Sequence, residues 1–219
     1  MYLPNANNQS AYHPSYRADG TITTGGTAQL VLPRAYSRCM LMIMNISGTV
    51  MYMEHGPPRA TATISNGTVT AATVTNAGFG YTLPPLIVFQ GGFGPFVANS
   101  VWNGRGLLGS PAPTGLAAQG DSTNPVYNRP AQAHCVMSGG AVSSIVIDDP
   151  GFGYVNPPEI VMYNQPNDPF GCAVPSATSG IILAATGGFY YLNHTAMWTD
   201  PVAIFGASTG LGFTVEYMP

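Results

Sequence analysis

The sequence predicts an all-β protein, and three observations lead to this fold class. Short runs in which apolar and polar residues alternate recur along the chain, and this is the period of a half-buried strand. The 219 residues include 27 glycines and 20 prolines, which interrupt the runs at short intervals. No stretch of ten residues has the spacing of an amphipathic helix. We therefore predict a β-sandwich or jelly-roll-like frame with an inserted, duplicated β-repeat module and long loops.

The duplication is the clearest pattern in the sequence. Residues 60–89 and 133–162 align without a gap at an offset of 73 and are identical at 12 of 30 positions. Each copy contains an alternating strand, a Gly-Phe-Gly-Tyr corner, a Pro-Pro step and a second apolar run. The repeated motif consists of Gly78, Phe79, Gly80, Tyr81, Pro84 and Pro85 in the first copy, and of Gly151, Phe152, Gly153, Tyr154, Pro157 and Pro158 in the second.

The motif is interpreted as structural. Glycine reaches positive φ at low cost, so we predict this conformation at Gly80 and Gly153, with the aromatic side chains folded back over the strands. The Gly-x-Gly spacing resembles half of a dinucleotide fingerprint, but that fingerprint requires a helix at the third glycine, and prolines follow here.

The N-terminal part of the chain predicts an arm followed by the first frame strands. Residues 1–25 are polar with scattered tyrosines and prolines, which favours an extended arm that orders against a neighbour or frays. Strands are predicted at 29–32, 39–46 and 49–53, and the last two are expected to form a hairpin around a Ser47-Gly48 turn.

The remaining chain predicts the insertion and the return to the frame. A 43-residue connection, 90–132, has little periodicity and is interpreted as a large loop that packs on its own domain or on a neighbouring subunit. The segment 181–219 contains four strand candidates. We predict a frame built from 26–59 and 181–219, with 60–180 as an inserted domain.

The composition limits the classes of partner. Six lysines and arginines stand against nine acidic residues, and only 7% of residues are charged, so phosphate neutralisation of a nucleic acid is not expected. A polar but nearly uncharged surface is typical of proteins in dense assemblies, and also of secreted β-proteins. No signal peptide and no apolar run of membrane-spanning length is recognisable, so we expect synthesis in a cytoplasm and no membrane partner.

The sequence offers little catalytic chemistry. Cys39, Cys135 and Cys172 are interpreted as buried thiols, with one disulfide as the alternative. The string Gly-Ala-Ser-Thr-Gly at 206–210 matches a nucleophile elbow, but neither Asp nor His follows it. The histidines lack metal-ligand spacing, and Asp148-Asp149 is a weak calcium candidate. We predict no enzyme activity, no catalytic residue, no cofactor and no metal.

The methionines allow two interpretations. Met40, Met42 and Met44 share one face of a predicted strand, as do Met51 and Met53 on the next. Core filling is the favoured explanation, and an adaptable contact surface is the alternative.

The repeat resembles a β-repeat of tailed-bacteriophage virion proteins, with Val74 to Val88 and Ile147 to Val161 carrying the resemblance. The frame is similar to small head-decoration and head-fibre proteins of these phages, because an apolar strand ends at Asn-x-Ser/Thr and a Met-aromatic pair soon follows, once from Asn45 and again from Asn193. The resemblance covers most of residues 26–219.

This resemblance implies a structural protein at the virion surface that is made in the host cytoplasm. The function expected is a capsid decoration or cement protein that binds the major capsid protein on the outer head surface as a homo-oligomer, a trimer or a dimer. The alternative is a tail, baseplate or fibre component that contacts host glycans. Aromatic residues of the arm and of the long connection are the predicted partner contacts: Tyr2, Tyr12, Tyr16, Phe93, Phe96 and Trp102.

Overall fold

The computed structural model describes residues 15–34, 38–93, 128–193 and 199–218, and these residues form strands, turns and loops but no helix. This confirms the all-β prediction. None of the described residues therefore supplies a helix long and apolar enough to cross a membrane. The strands are β1 (Tyr16–Thr21), β2 (Ala28–Leu32), β3 (Met40–Asn45), β4 (Met51–His55), β5 (Arg59–Ser65), β6 (Thr68–Asn76), β7 (Leu86–Gln90), β8 (Gln132–Ser138), β9 (Ala141–Asp149), β10 (Glu159–Tyr163), β11 (Ile181–Leu183), β12 (Phe189–Asn193), β13 (Val202–Gly206) and β14 (Gly212–Met218).

The chain divides into two compact units. One comprises residues 1–55 and 175–219, and the other comprises residues 56–174. The sequence placed the inserted domain at 60–180, so the second unit begins and ends a few residues earlier than predicted.

The first unit is a jelly roll. Its two antiparallel four-stranded sheets have the strand orders β1-β14-β3-β12 and β11-β4-β13-β2. The chain changes sheet after every strand except between β4 and β11, which pair with each other. This order of eight strands in two sheets is that of a double Greek key. The second unit is inserted in the connection between β4 and β11.

The core of the jelly roll lies between its two sheets. Along β3, residues that point into it alternate with residues that do not, as expected for a sheet with one buried face. The fully buried members are Ile22, Leu41, Ile43, Met51, Met53, Leu183, Val202, Ile204, Phe213 and Val215.

The predicted arm extends too far along the chain. Residues 16–21 form β1, which pairs with β14 over all six of its residues. The ring of Tyr16 stacks on Tyr217 with centroids 5.4 Å apart, and Ile22 is buried in the core. The polar composition of β1 concealed it, because an edge strand can be held by one buried apolar residue next to it, here Ile22. The rest of the arm, 1–14, lies outside the described residues.

The predicted hairpin of β3 and β4 is wrong, because the two strands belong to opposite sheets. The Asn45 side chain explains how the chain crosses between the sheets. Its amide donates to the main-chain oxygens of Thr49 (2.7 Å) and Leu183 (3.0 Å), and its oxygen accepts from the Ser47 N–H (2.9 Å). The side chain thus ties the connection to a strand of the second sheet.

The methionines divide between the two interpretations. Met51 and Met53 are fully buried, which confirms core filling on β4. On β3 the core residues are Leu41 and Ile43, while Met40, Met42 and Met44 alternate with them and are partly exposed on the outer side of the sheet. Core filling is therefore wrong for β3.

The second unit preserves the duplication strand by strand. Each strand of the first copy, β5, β6 and β7, begins and ends 73 residues before its counterpart among β8, β9 and β10. The register shifts also correspond: the β5–β6 pair shifts after Arg59 and Thr63, and the β8–β9 pair shifts after Gln132 and Val136. The two copies therefore have the same local fold, including their bulges.

The two copies are related by a local two-fold axis. Val88 of β7 pairs with Val161 of β10, which is its own counterpart, and the neighbours on either side pair symmetrically. The corners exchange equivalent hydrogen bonds. The Tyr81 N–H donates to the Gly140 oxygen (3.0 Å), and the Tyr154 N–H donates to the Gly67 oxygen (3.1 Å). Each corner is thus held by the hairpin turn of the other copy.

All six strands of this unit surround one core. β6 lies beside β9 and β7 beside β8, in addition to the hydrogen-bonded pairs. The buried residues come from both copies: Val69, Phe89, Ala131, Cys135, Val142, Ile145, Tyr154, Ile160 and Met162. Neither copy can bury its apolar face without the other, because the core is shared.

The corners have the predicted conformation. The φ angles of Gly80 and Gly153 are 75° and 89°, which confirms positive φ at both positions. Tyr154 is buried in the core among the strands, as predicted. Tyr81 is also buried, but its ring lies against Gly78 and Gly171. The corner residues of the motif therefore have a structural role in the second unit.

A buried carboxylate replaces a main-chain oxygen at the first corner. In the second copy the N–H groups of Val155 and Asn156 donate to the Gly92 oxygen (2.8 and 3.0 Å). In the first copy the equivalent groups of Thr82 and Leu83 donate to Oδ2 of Asp168 (2.8 and 2.9 Å), whose side chain is fully buried.

We expect Asp168→Ala to reduce the free energy of unfolding by about 2–4 kcal/mol, because two main-chain donors lose a charged acceptor. Denaturant unfolding measures the loss. Asp168→Asn keeps an acceptor oxygen and should be clearly less destabilising. Equal losses for the two variants would contradict the assigned role.

Candidate interaction surface

The predicted partner contacts are distributed unevenly. Tyr2, Tyr12, Phe96 and Trp102 lie outside the described residues. Tyr16 is half-exposed at the edge of the jelly roll, where Tyr217 stacks on one side of its ring. Phe93 stacks on Tyr154 with centroids 4.6 Å apart and packs against the core of its own unit. Phe93 thus contributes to folding, because its ring already has a partner.

An apolar surface covers the outer side of the β1-β14-β3-β12 sheet. Strand register places its side chains in adjacent rows, with Met44 beside Phe189 and Met42 beside Tyr191. Phe189 is 64% and Tyr191 48% exposed. We call this the Met-aromatic face, and it consists of Met40, Met42, Met44, Phe189, Tyr191 and Met218.

Charge is confined to one side of the Met-aromatic face. Glu216 lies beside Met42, and on β1 the Arg17 and Asp19 side chains approach each other (3.9 Å). Asp19 also accepts a hydrogen bond from the Thr214 hydroxyl (2.6 Å), which leaves Thr214 buried. On the β12 side, none of the described residues of the face is charged. Apolar contact area, with flexible methionines beside rigid aromatics, is what this surface offers a partner.

The inner side of β12 anchors the surface to the core. Tyr190 and Leu192 pack against the jelly-roll core, opposite in direction to Phe189 and Tyr191. Burial, and secondarily the charge of Glu54, raises the pKa of the Tyr190 hydroxyl. Its neutral form therefore persists to more alkaline pH than in water.

The second unit also carries exposed apolar side chains. Exposed side chains on β7, β10 and the β8–β9 hairpin are Leu86, Val88, Tyr163, Val136 and Val146. In the first copy, threonines Thr63 and Thr73 occupy the positions of Val136 and Val146. The two copies therefore share a backbone fold but differ in the polarity of their exposed side chains at these positions.

The catalytic and metal candidates have structural explanations. The string at 206–210 lies between β13 and β14, where a strand follows and not the helix of a nucleophile elbow. Asp148 contacts His134 (2.9 Å), and Asp149 accepts from Arg129 (2.8 Å) and from the Gly151 N–H (2.9 Å). No group of three or more metal-ligating side chains occurs within the described ranges.

The cysteines are thiols, as the favoured interpretation held. Cys135 and Cys172 are buried, and Cys39 is partly exposed. Burial raises the pKa of the Cys135 thiol to about 11, so it is protonated and unreactive at neutral pH.

Sequence reasoning gave a contact surface for the β3 methionines only as the alternative, and it did not include Phe189 or Tyr191. The signal was present, since Met40, Met42 and Met44 alternate with Leu41 and Ile43, but either set could have been the buried one.

Comparison with protein-family models, with curated proteins and with solved structures found no match to this chain.

Proposed function

We propose that this protein is a non-enzymatic structural protein of a tailed-bacteriophage virion. In this role it decorates the outer surface of the head, binds the major capsid protein and stabilises adjacent capsid subunits. The observation that carries the proposal is the Met-aromatic face, a broad apolar surface exposed on a jelly roll with very few charges.

The fold and composition support this role. Jelly rolls are common in viral capsid proteins, although they also occur in lectin domains, so the fold alone does not determine a function. With 7% charged residues the protein has little electrostatic repulsion between copies, which suits a dense array on a shell.

The Met-aromatic face gives the proposal a mechanism. A partner that covers Phe189 and Tyr191 removes large apolar side chains from water, at about 25 cal/mol for each Å² buried. A protein that binds only the assembled shell stabilises it by mass action, and many copies add their effects.

We expect Met42→Lys to weaken binding to heads assembled from the major capsid protein of the same genome by at least tenfold. The substitution places a charge at the centre of the Met-aromatic face, and Glu216 on the neighbouring strand gives the lysine a partner, so the fold is retained. Co-sedimentation with heads that lack the protein measures the affinity.

The matched control is Ile182→Lys, an exposed apolar residue on the opposite sheet, which should bind as the unmodified chain does. Folded Met42→Lys protein that binds with unchanged affinity would refute the assigned surface. If the unmodified chain does not bind heads at all, the decoration role itself is refuted.

A tail or fibre role remains the second candidate because Phe189 and Tyr191 stand two residues apart on one side of an exposed strand. Such aromatic pairs can stack on sugar rings. Binding of the isolated protein to a glycan array, together with only a few copies per virion, would favour this role over decoration.

A further inference from the structure

The four edge strands of the jelly roll differ in how they are protected against pairing with another chain. Exposed main-chain groups of an edge strand are normally defended by charges, bulges, prolines or short length. Strand β1 carries Arg17 and Asp19, both exposed. Strand β2 contains a bulge opposite Val202 and Ala203 and is followed by Pro33. Strand β11 has only three residues.

Strand β12 has none of these protections. Its sequence, Phe-Tyr-Tyr-Leu-Asn, contains no charge and no proline, and it pairs with β3 over five residues in an unbroken register. Its outer aromatic side chains are exposed. Among the edges of this sheet pair, β12 is the one that combines a neutral sequence, an unbroken register and a length of five residues.

The direction of its main-chain groups follows from the pairing with β3. The Asn45 N–H donates to the Gly188 oxygen (2.8 Å), and hydrogen-bonded pairs alternate along an antiparallel ladder. Tyr190 and Leu192 therefore direct their N–H and C=O groups toward β3. Those of Phe189, Tyr191 and Asn193 point away from the sheet, and no described residue bonds to them.

We propose that β12 pairs antiparallel with β12 of a second copy of this chain, around a two-fold axis at Tyr191. Phe189 then faces Asn193 of the second copy, Tyr191 faces its own counterpart, and each of these pairs exchanges two main-chain hydrogen bonds. The two four-stranded sheets become one sheet that is continuous across the dimer.

The chemistry of β12 suits pairing with itself. An uncharged strand can face its own copy without like-charge repulsion, and an isologous contact requires this self-complementarity. The two Tyr191 rings lie side by side on the outer surface, where cross-strand aromatic pairs are favourable. The Met-aromatic faces of the two copies join into one surface. This inference goes beyond the proposed function and does not depend on it.

Tyr191→Lys tests the pairing in the full-length chain by sedimentation velocity. The unmodified chain should sediment as a dimer. Tyr191→Lys should dimerise at least tenfold more weakly, because two lysines meet at the axis. Because the Tyr191 side chain is exposed, the variant should fold as the unmodified chain does. Circular dichroism and the melting temperature verify this. Ile182→Lys, at an exposed apolar position on β11, should remain dimeric.

A mixture of Tyr191→Lys and Tyr191→Glu proteins should recover the dimer as a heterodimer, since opposite charges then meet at the axis. As a second measurement, Tyr191→Cys should form an intermolecular disulfide on mild oxidation, because residues opposed in such a pair lie at disulfide distance. Ile182→Cys, which retains the same native cysteines, should not.

A monomeric unmodified chain, or an oligomer that Tyr191→Lys leaves intact, would overturn the pairing. Failure of the charge-swapped mixture to associate would overturn it as well. Met42→Lys keeps β12 unchanged and should remain dimeric, so loss of head binding and loss of the dimer are separable.

Discussion

Gly151→Ala is expected to lower the free energy of unfolding by about 2–5 kcal/mol. The residue has a φ of 60°, which costs an L-residue about 1–2 kcal/mol. A Cβ atom would also lie 2.5 Å from the Arg129 oxygen and 2.6 Å from the Ala131 nitrogen. These are main-chain atoms that cannot rotate away, so the clash adds an overpacking cost of about 1–3 kcal/mol.

Gly139→Ala is the matched control for this prediction. Gly139 has a nearly identical φ of 57°, but a Cβ atom there meets nothing within 4 Å. Its alanine variant should lose only the conformational cost. Denaturant unfolding gives the two values, and hydrogen exchange of β8 and β9 shows whether the second unit is the part that opens. Equal losses would show that close packing at the corner is unimportant.

Removing the start of the chain is expected to have two sharply different results. Deletion of residues 2–14 should leave a cooperative β-rich fold, because it removes no described strand. Deletion of residues 2–22 should abolish the cooperative unfolding of the jelly roll, because it removes β1 and the fully buried Ile22, while the second unit keeps its own core. It also exposes the uncovered edge of β14, and an unprotected edge favours aggregation.

Thermal melting monitored by circular dichroism, with gel filtration for aggregation, distinguishes the two deletions. A jelly roll that still melts cooperatively in the longer deletion, near its temperature in the full chain, would show that β1 is dispensable. Head binding by the shorter deletion separately tests whether the segment before β1 contributes to attachment.

The sequence predicted the features that depend on local pattern. Alternation and the 73-residue offset identified the duplication and most of the strands, although not β1, β5 or β8, and corner glycines at positions such as Gly80 indicated the positive φ. These features need only the chemistry of neighbouring residues, so a single sequence contains them.

The remaining features depend on partners distant in the chain. Nothing local shows that β3 and β4 lie in different sheets, because the Asn45 side chain makes that crossing by bonding to Leu183. The role of Asp168 depends on Thr82 and Leu83, far earlier in the chain. To predict the Met-aromatic face, one must know which side of β3 is buried. The strands packed against β3 decide this.

The position of β14 has a consequence for biosynthesis. The last of the described strands, β14, lies between β1 and β3, which are both translated long before it. A nascent chain cannot complete this sheet until β14 has emerged from the ribosome. The second unit contains all its strands between residues 59 and 163, so it is free to fold during elongation. Premature termination before β14 should therefore yield a product that quality-control proteases remove.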